Sequence, residues 1–224
     1  MANPKHRLPM VQDALTRHVR QLSGCTSCPS MIGPVVAPPP VVSPIYLSGQ
    51  APGPHEGKFG RPFAWTAGKT LFRWFGTLGV DEDTFRARVY IGAVCRCFPG
   101  KTTSGGDRVP SPAEIMSCSR WAAREVALLQ PRLIIPVGRL AIEQVLGESR
   151  PLADVIGLTF RRTFHRHEAD IVPLPHPSGA STWFKMDPGR GLLEKALEKL
   201  GEHEAWREVF GAPAQAADAV SRSR

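Results

Sequence analysis

The residues of this chain that are best suited to chemistry are its five cysteines and the polar side chains of two loops rich in glycine and proline. Cys25 and Cys28 form a CTSC pair, and Cys97 and Cys118 follow far downstream. Four thiolates can hold either a 4Fe–4S cluster or a tetrahedral zinc ion. Their spacing does not choose between the two, and zinc is the default from the residues alone. Cys95 is interpreted as a buried core thiol.

The first loop, GQAPGPHEGKFGRPF, spans Gly49–Phe63. Its glycines let the backbone approach a ligand closely, and its prolines keep the loop stiff. Gln50, His55 and Glu56 supply polar groups that can position a water molecule, and Phe63 offers a flat ring for stacking. The alternative is an ordinary turn, which the same composition also allows.

The second loop, HPSGAS, spans His176–Ser181. A single histidine before a turn is often structural. Here, however, it follows an apolar segment that we predict to be a strand, and ligands of α/β sheets bind beyond the carboxyl ends of the strands. The first loop also follows a predicted strand, so the sequence predicts that both loops lie at one edge of the sheet.

Predicted strands and helices alternate around these loops. The apolar run LIIPV is typical of a central strand covered on both faces, and Ser111 to Glu114 form a capping box with proline at the first helical position. Such alternation predicts a mostly parallel, four-stranded sheet with helices on both faces. The predicted strands are Ile45–Ser48, Arg88–Val94, Leu133–Val137 and Asp170–Leu174. The predicted helices are 10–23, Ala67–Leu78, the helix that begins at Ser111, 139–146 and Arg190–Leu200.

The length of the chain is that of one ordinary domain. It has 224 residues, of which 42% are hydrophobic, and this is enough to bury a normal core. We assign residues 1–210 to a single domain that includes the N-terminal helix and a proline-rich connector at 29–44. Residues 211–224 are small and polar, which indicates a flexible C-terminal tail.

Charge and hydropathy restrict the partners of the protein. The formal net charge of +8 favours a polyanion such as nucleic acid, although charge alone is weak evidence. No apolar run approaches the roughly 20 residues that span a bilayer, and the N-terminus lacks the apolar segment of a signal peptide. We therefore expect a cytoplasmic protein with no membrane partner and with free thiols rather than a disulfide framework.

The order of these motifs resembles that of uracil-DNA glycosylases, in the iron–sulfur branch known as families 4 and 5. GQAPGPHEGKFGRPF, the RCFPG run, the SPAEIMSC helix with LIIPVGRLA, and HPSGAS carry the resemblance over roughly residues 20–200. It implies a three-layer α/β/α fold and hydrolysis of the bond between a damaged base and its deoxyribose. Such enzymes extrude the target nucleotide into a pocket. It also implies a monomer that acts on DNA.

The resemblance assigns roles to residues of both loops. His176 would hydrogen-bond the base oxygen where charge develops, Phe63 would stack on the extruded base, and Glu56 would position water or stabilise the sugar cation. Ser178 and Ser181 would contact phosphates or shape the segment that fills the vacated position in the DNA stack. The implied catalytic residues are His176, Glu56 and Gln50. The implied substrate-binding residues are Gly49, Ala51, Gly53, His55, Phe63, Ala93 and Ser178. The implied ligands of a structural 4Fe–4S cluster are Cys25, Cys28, Cys97 and Cys118, with zinc as the alternative.

Two departures make the chain intermediate between families. Gln50 stands where family 4 has glutamate, as in family 1, and Ala93 stands where family 4 has an asparagine that reads uracil, as in family 5. These departures favour acceptance of other deaminated or oxidised bases. They also leave room for an alternative function, a non-catalytic nucleic-acid-binding metalloprotein of the same fold. The stretch 100–110 is either a DNA contact or a surface insertion, and Trp183 or Phe184 is either a wedge in the DNA stack or a core residue.

Overall fold

A computed structural model of the protein describes residues 4–179 and 181–211. The described residues form five strands and eight α-helices. The strands are β1 (Ile45–Gly49), β2 (Tyr90–Ala93), β3 (Leu133–Pro136), β4 (Phe160–Phe164) and β5 (His167–Ile171). The helices are α1 (Pro4–Ser23), α2 (Glu56–Phe59), α3 (Thr66–Gly76), α4 (Glu82–Arg88), α5 (Pro112–Leu129), α6 (Arg139–Leu146), α7 (Gly189–Glu202) and α8 (Glu204–Phe210).

The strands form one sheet in the order β2-β1-β3-β5-β4. β1 pairs in parallel with β2 and β3, β3 pairs in parallel with β5, and only β4 is antiparallel to its neighbour. Every residue of β1, β2 and β3 is buried. Because successive side chains of a strand point to opposite faces, complete burial requires cover on both faces. The predicted three-layer α/β/α architecture with a mostly parallel sheet is therefore confirmed.

The predicted number of four strands is wrong, because β4 adds a fifth at the edge of the sheet. Its sequence is FRRTF, and its three middle residues are exposed. Because few residues pack against this edge strand, its sequence does not alternate between apolar and polar residues, which is the pattern that predicts a strand. The strand predicted at Arg88–Val94 also begins too early, since the chain remains helical through Arg88 and β2 starts at Tyr90.

Two helices that frame the site follow the sequence closely. At the start of α5 the Glu114 backbone N–H donates to Ser111 Oγ at 3.3 Å, and the Ser111 backbone N–H donates to a Glu114 carboxylate oxygen at 2.6 Å. This reciprocal pair is the predicted capping box. The predicted helix 139–146 coincides with α6.

A buried carboxylate joins α5 to the sheet. Glu125 is fully buried and accepts hydrogen bonds from Tyr46 at 2.7 Å, from Tyr90 at 2.8 Å and from Arg96 at 2.5 Å. His18 of α1 lies 3.2 Å from the same carboxylate. A buried charge is tolerated only when it is paired and hydrogen-bonded, so this network fixes α1, α5, β1 and β2 relative to one another.

Among residues 4–179 and 181–211, no helix is both long and apolar enough to pass through a membrane. Residues 212–224, which make up nearly all of the predicted tail, lie outside the described residues. The assignment of residues 1–210 to a single domain stays a prediction.

Candidate active site

The carboxyl ends of the parallel strands bring the two loops to one edge of the sheet. Gly49, at the end of β1, lies opposite Ala93, at the end of β2. Beyond β3, Val137 bridges in parallel to Leu174, and the Gly138 backbone N–H donates to the Leu174 carbonyl at 2.9 Å. The segment that leads to the second loop is thus held beside β3, close to the first loop.

A cavity of about 490 Å³ lies between the two loops. All ten residues predicted to be catalytic or substrate-binding line it, which are Gly49, Gln50, Ala51, Gly53, His55, Glu56, Phe63, Ala93, His176 and Ser178. The predicted convergence of the two loops is therefore observed. The role of each residue in a reaction stays a prediction.

Phe63 closes one wall of the cavity in an unusual backbone conformation. Its φ is 55°, a left-handed value that is rare for a bulky residue and signals local strain. Its ring lies against Gly49, where an added Cβ would meet Phe63 Cζ at 2.8 Å. Only glycine at position 49 leaves the ring in this place.

His176 is half-buried on another wall, and its protonation state follows from its surroundings. The Ser178 backbone N–H donates to His176 Nδ1 at 3.3 Å, so the neutral ring carries its proton on Nε2. Burial lowers the pKa of His176 below its ordinary value, although the charge of Asp107 acts in the opposite direction. Near neutral pH the imidazole is uncharged, and its Nε2–H is a hydrogen-bond donor.

Glu56 organises the first loop from within. Its two carboxylate oxygens accept hydrogen bonds from the backbone N–H groups of Gly53 at 2.7 Å and Ala64 at 3.1 Å. Burial raises the pKa of Glu56 above its ordinary value, and these backbone donors act against that shift. The carboxylate therefore joins the two ends of the loop while it also lines the cavity.

The sequence did not indicate several other residues that line the cavity. Gly106, Asp107 and Arg108 come from the stretch 100–110, so this part of the stretch lines the cavity, and a contact of the stretch with DNA stays a prediction. Arg108 is anchored by two hydrogen bonds of 2.8 Å to Glu114. Trp65 also lines the cavity. Nothing in the local pattern marks these residues, because the length of a loop does not reveal where the loop folds.

The wedge candidates pack against the protein. Trp183 and Phe184 are partly buried against the main hydrophobic core, and the Phe184 ring makes an edge contact with Trp74 at 5.0 Å between centroids. This placement favours the alternative that both are core residues.

Three chain segments bring the predicted metal ligands into one region. Ile32 and Phe98 exchange backbone hydrogen bonds of 2.7 and 3.0 Å, which places the segment after Cys28 beside the segment after Cys97. On α5, Arg120 lies 3.6 Å from Cys25 Sγ, two residues beyond Cys118. The CTSC pair, Cys97 and Cys118 therefore occupy the same end of the molecule.

The thiols are close enough to influence one another electrostatically, but their side chains are not arranged as the ligands of one metal site. Burial, reinforced by Cys118, Cys25 and Cys28, raises the pKa of Cys97 to about 11. A hydrogen bond from Cys95 lowers the pKa of Cys118 to about 7. In the part of the chain that the structure describes, no three His, Cys, Asp or Glu side chains lie close enough together to hold a metal ion. The sulfur-only donor set fits a cluster or zinc, but its assignment stays a prediction.

Comparison with known proteins places this architecture in a family. The model of the uracil DNA glycosylase superfamily matches residues 38–201. The chain is 30% identical over 164 residues to the type-4 uracil-DNA glycosylase of Sulfurisphaera tokodaii, across 70% of this chain and 69% of that protein. It is 33% identical over 114 residues to the type-5 uracil-DNA glycosylase of Thermus thermophilus, across 46% of this chain and 49% of that protein. The resemblance seen in the motifs is confirmed, and the chain belongs to the uracil DNA glycosylase superfamily.

Proposed function

We propose that this protein is a monofunctional DNA glycosylase that hydrolyses the N-glycosidic bond of uracil in DNA. The observation that carries the proposal is that Phe63 and His176 line one cavity of about 490 Å³. An aromatic face and a neutral imidazole donor on the walls of one cavity suit a single planar base with carbonyl oxygens. The names of the relatives, which are uracil-DNA glycosylases, support the same activity.

The chemistry begins when the target nucleotide leaves the DNA stack and enters the cavity. Phe63 stacks on the base, and the Nε2–H of His176 donates a hydrogen bond to a base oxygen. As the bond to the sugar breaks, negative charge grows on that oxygen, and the donor stabilises the charge in a site shielded from water. An uncharged imidazole suits this role, because its hydrogen bond to the base oxygen strengthens as the base becomes an anion.

Water must reach the sugar from the opposite side of the bond. We assign its positioning to Gln50 and Glu56, with the backbone of Gly49–Gly53 lining the same wall. The backbone carbonyl of Gln50 accepts a hydrogen bond of 3.0 Å from the Cys95 backbone N–H. Glu56 accepts hydrogen bonds from Gly53 and Ala64 and so fixes the loop between them. The water site is therefore built on a loop that is anchored at both ends.

We also propose that Cys25, Cys28, Cys97 and Cys118 hold a 4Fe–4S cluster. When bound, the cluster supplies structural ties and takes no part in the hydrolysis. The thiols stand on segments that meet through Ile32 and Phe98, so a cluster there would join the N-terminal segment to the loop after β2. We further propose that the protein acts as a monomer inside the cell.

The range of bases accepted is wider than uracil alone. Ala93 lines the cavity but carries no amide to read a base edge. A panel of oligonucleotides with uracil, hypoxanthine, xanthine or hydroxymethyluracil tests both claims through the release of free base. Uracil and at least one other base should be released. If no deaminated base is released while DNA binding persists, the non-catalytic alternative holds instead.

A further inference from the structure

Three aromatic side chains form a cluster beside the cavity, and of these only His55 has been given a role above. The ring centroids of His55 and Trp65 are 4.7 Å apart, and those of Phe59 and Trp65 are 5.7 Å apart with the planes inclined by 27°. We name His55, Phe59 and Trp65 the rim cluster. His55 and Trp65 line the cavity, so the cluster is continuous with the proposed base-binding site.

The rim cluster is exposed in a way that is unusual for this protein. Phe59 is 49% exposed and Trp65 is 45% exposed. Across the described ranges, these are the only large aromatic side chains that are exposed, since the other exposed large hydrophobic side chains are aliphatic. Grouped apolar exposure marks an interaction site more often than scattered single residues do.

Basic side chains flank the cluster on the same stretch of chain. Lys58 and Arg61 are both exposed, and the contact of Arg61 with Glu82 is long, at 4.0 Å. Positive charge next to exposed aromatic rings is typical of protein surfaces that bind single-stranded nucleic acid, because the cations contact the phosphates and the rings stack on unpaired bases.

We propose that the rim cluster stacks on an unpaired base beside the extruded nucleotide, and that the protein therefore prefers single-stranded DNA to duplex. This inference rests on the proposed function, since it takes DNA as the substrate. In a duplex the neighbouring bases are paired and stacked on one another, so they cannot reach the cluster. In a single strand, a neighbouring base is free to lie on Trp65 or Phe59.

The test compares the affinity for a labelled oligothymidine strand with that for the same strand in a duplex, by fluorescence anisotropy. Stacking on an aromatic side chain contributes enough affinity that Trp65→Ala should raise the Kd for the single strand about tenfold. The ratio of duplex Kd to single-strand Kd should fall by a similar factor. Trp65→Phe retains a stacking ring and should restore most of the preference, while Phe59→Ala should lower it.

Two controls separate stacking from general effects. Leu158 is 50% exposed and lies outside the cavity lining, so Leu158→Ala should change neither Kd. Lys58→Ala should weaken single-strand and duplex binding alike and reduce the salt dependence, as expected for a phosphate contact. Thermal unfolding of each variant establishes that it is folded.

The outcomes distinguish this inference from the proposed function. If Trp65→Ala weakens both forms equally, or neither, the stacking site is refuted whether or not the wild type releases uracil. If the wild type releases no uracil but Trp65→Ala lowers the preference for single strands, the stacking site stands and the glycosylase activity fails.

Discussion

Arg86 donates a hydrogen bond of 2.9 Å from Nη2 to the backbone carbonyl of Phe63. Its Nη1 donates to the carbonyl of Pro62, also at 2.9 Å, and Glu82 holds its Nε at 2.8 Å. These bonds fix the backbone at the residue whose φ is 55°. A strained conformation persists only where its surroundings hold it in place, so Arg86 positions the ring that faces the cavity.

Arg86→Lys should therefore impair catalysis, although Arg86 does not line the cavity. Lysine lacks the rigid fork that serves two carbonyls and a carboxylate at once. We expect kcat/KM for uracil release to fall roughly tenfold, since lost hydrogen bonds from a charged donor cost about 1.5–3 kcal/mol. Steady-state kinetics measure this change.

The matched control is Arg88→Lys, because Arg88 also stands on α4 and donates to a backbone carbonyl at 2.8 Å, but that carbonyl belongs to Val209, which does not line the cavity. Its kinetics should stay near those of the wild type. Equal losses in the two variants would mean that Arg86 acts only through the stability of α4.

Gly138 leaves room for His176. Its φ is 89°, and an added Cβ would lie 2.9 Å from His176 Cδ2. We expect Gly138→Ala to displace the imidazole and to lower kcat at least tenfold, in line with the roughly hundredfold loss from a misplaced catalytic group. Single-turnover kinetics of uracil release measure the effect.

Gly147, at the other end of α6, separates the contact from backbone strain. Its φ is 76°, and nothing lies within 4 Å of an added Cβ. Gly147→Ala should reduce thermal stability to a similar extent but leave kcat close to the wild-type value. A comparable loss of kcat in Gly147→Ala would contradict the role given to Gly138.

The sequence predicted the parts of the site that depend on strand ends and local capping. β3 is apolar throughout, β1 begins with the apolar run Ile45 to Leu47, and Ser111 is followed by glutamate at the capping distance, so short-range patterns located these elements. Placement of the two loops then followed from sheet topology. Motif resemblance supplied the chemistry that periodicity could not.

Long-range contacts were beyond such patterns. Glu125 looks like an ordinary helical glutamate, but it is fully buried because Arg96, Tyr46 and Tyr90 meet it from distant parts of the chain. Asp107 likewise reaches the cavity through the fold of its loop. Neither position shows a local preference that differs from an exposed acidic residue.

The protonation of His176 predicts a pH dependence. Its pKa lies below 6.5 because of burial, and Asp107 holds it from falling further. Uracil release should be constant around neutral pH and fall only on acidification below 6.5, when protonation of Nδ1 breaks the bond from Ser178. Asp107→Asn removes the charge that favours the imidazolium, so the acid limb should move to lower pH.

A pH–rate profile under single-turnover conditions measures the acid limb in the wild type and in Asp107→Asn. Asp154→Asn is the control, since Asp154 is exposed and lies outside the cavity lining, and it should leave the profile unchanged. Movement of the limb to higher pH in Asp107→Asn would contradict the assignment.

Cysteine substitutions test the proposed cluster. Cys97→Ala or Cys118→Ala should yield protein that has lost broad visible absorption and bound iron, because each removes a ligand. Cys95→Ala should keep both, although Cys95 hydrogen-bonds Cys118. Elemental analysis and absorption spectra decide the matter, and a colourless wild-type protein that contains zinc would overturn the cluster.

The most direct test of the account is single-turnover release of free uracil from a uracil-containing oligonucleotide by the wild type, His176→Ala and Phe63→Ala. The wild type should release the base, and His176→Ala should be slower by about 10²–10³, the effect of removing one donor to a developing anion. Phe63→Ala should also be slower, because the base loses its stacking face. Unchanged rates in both variants would contradict the claim that these residues hold one base between them.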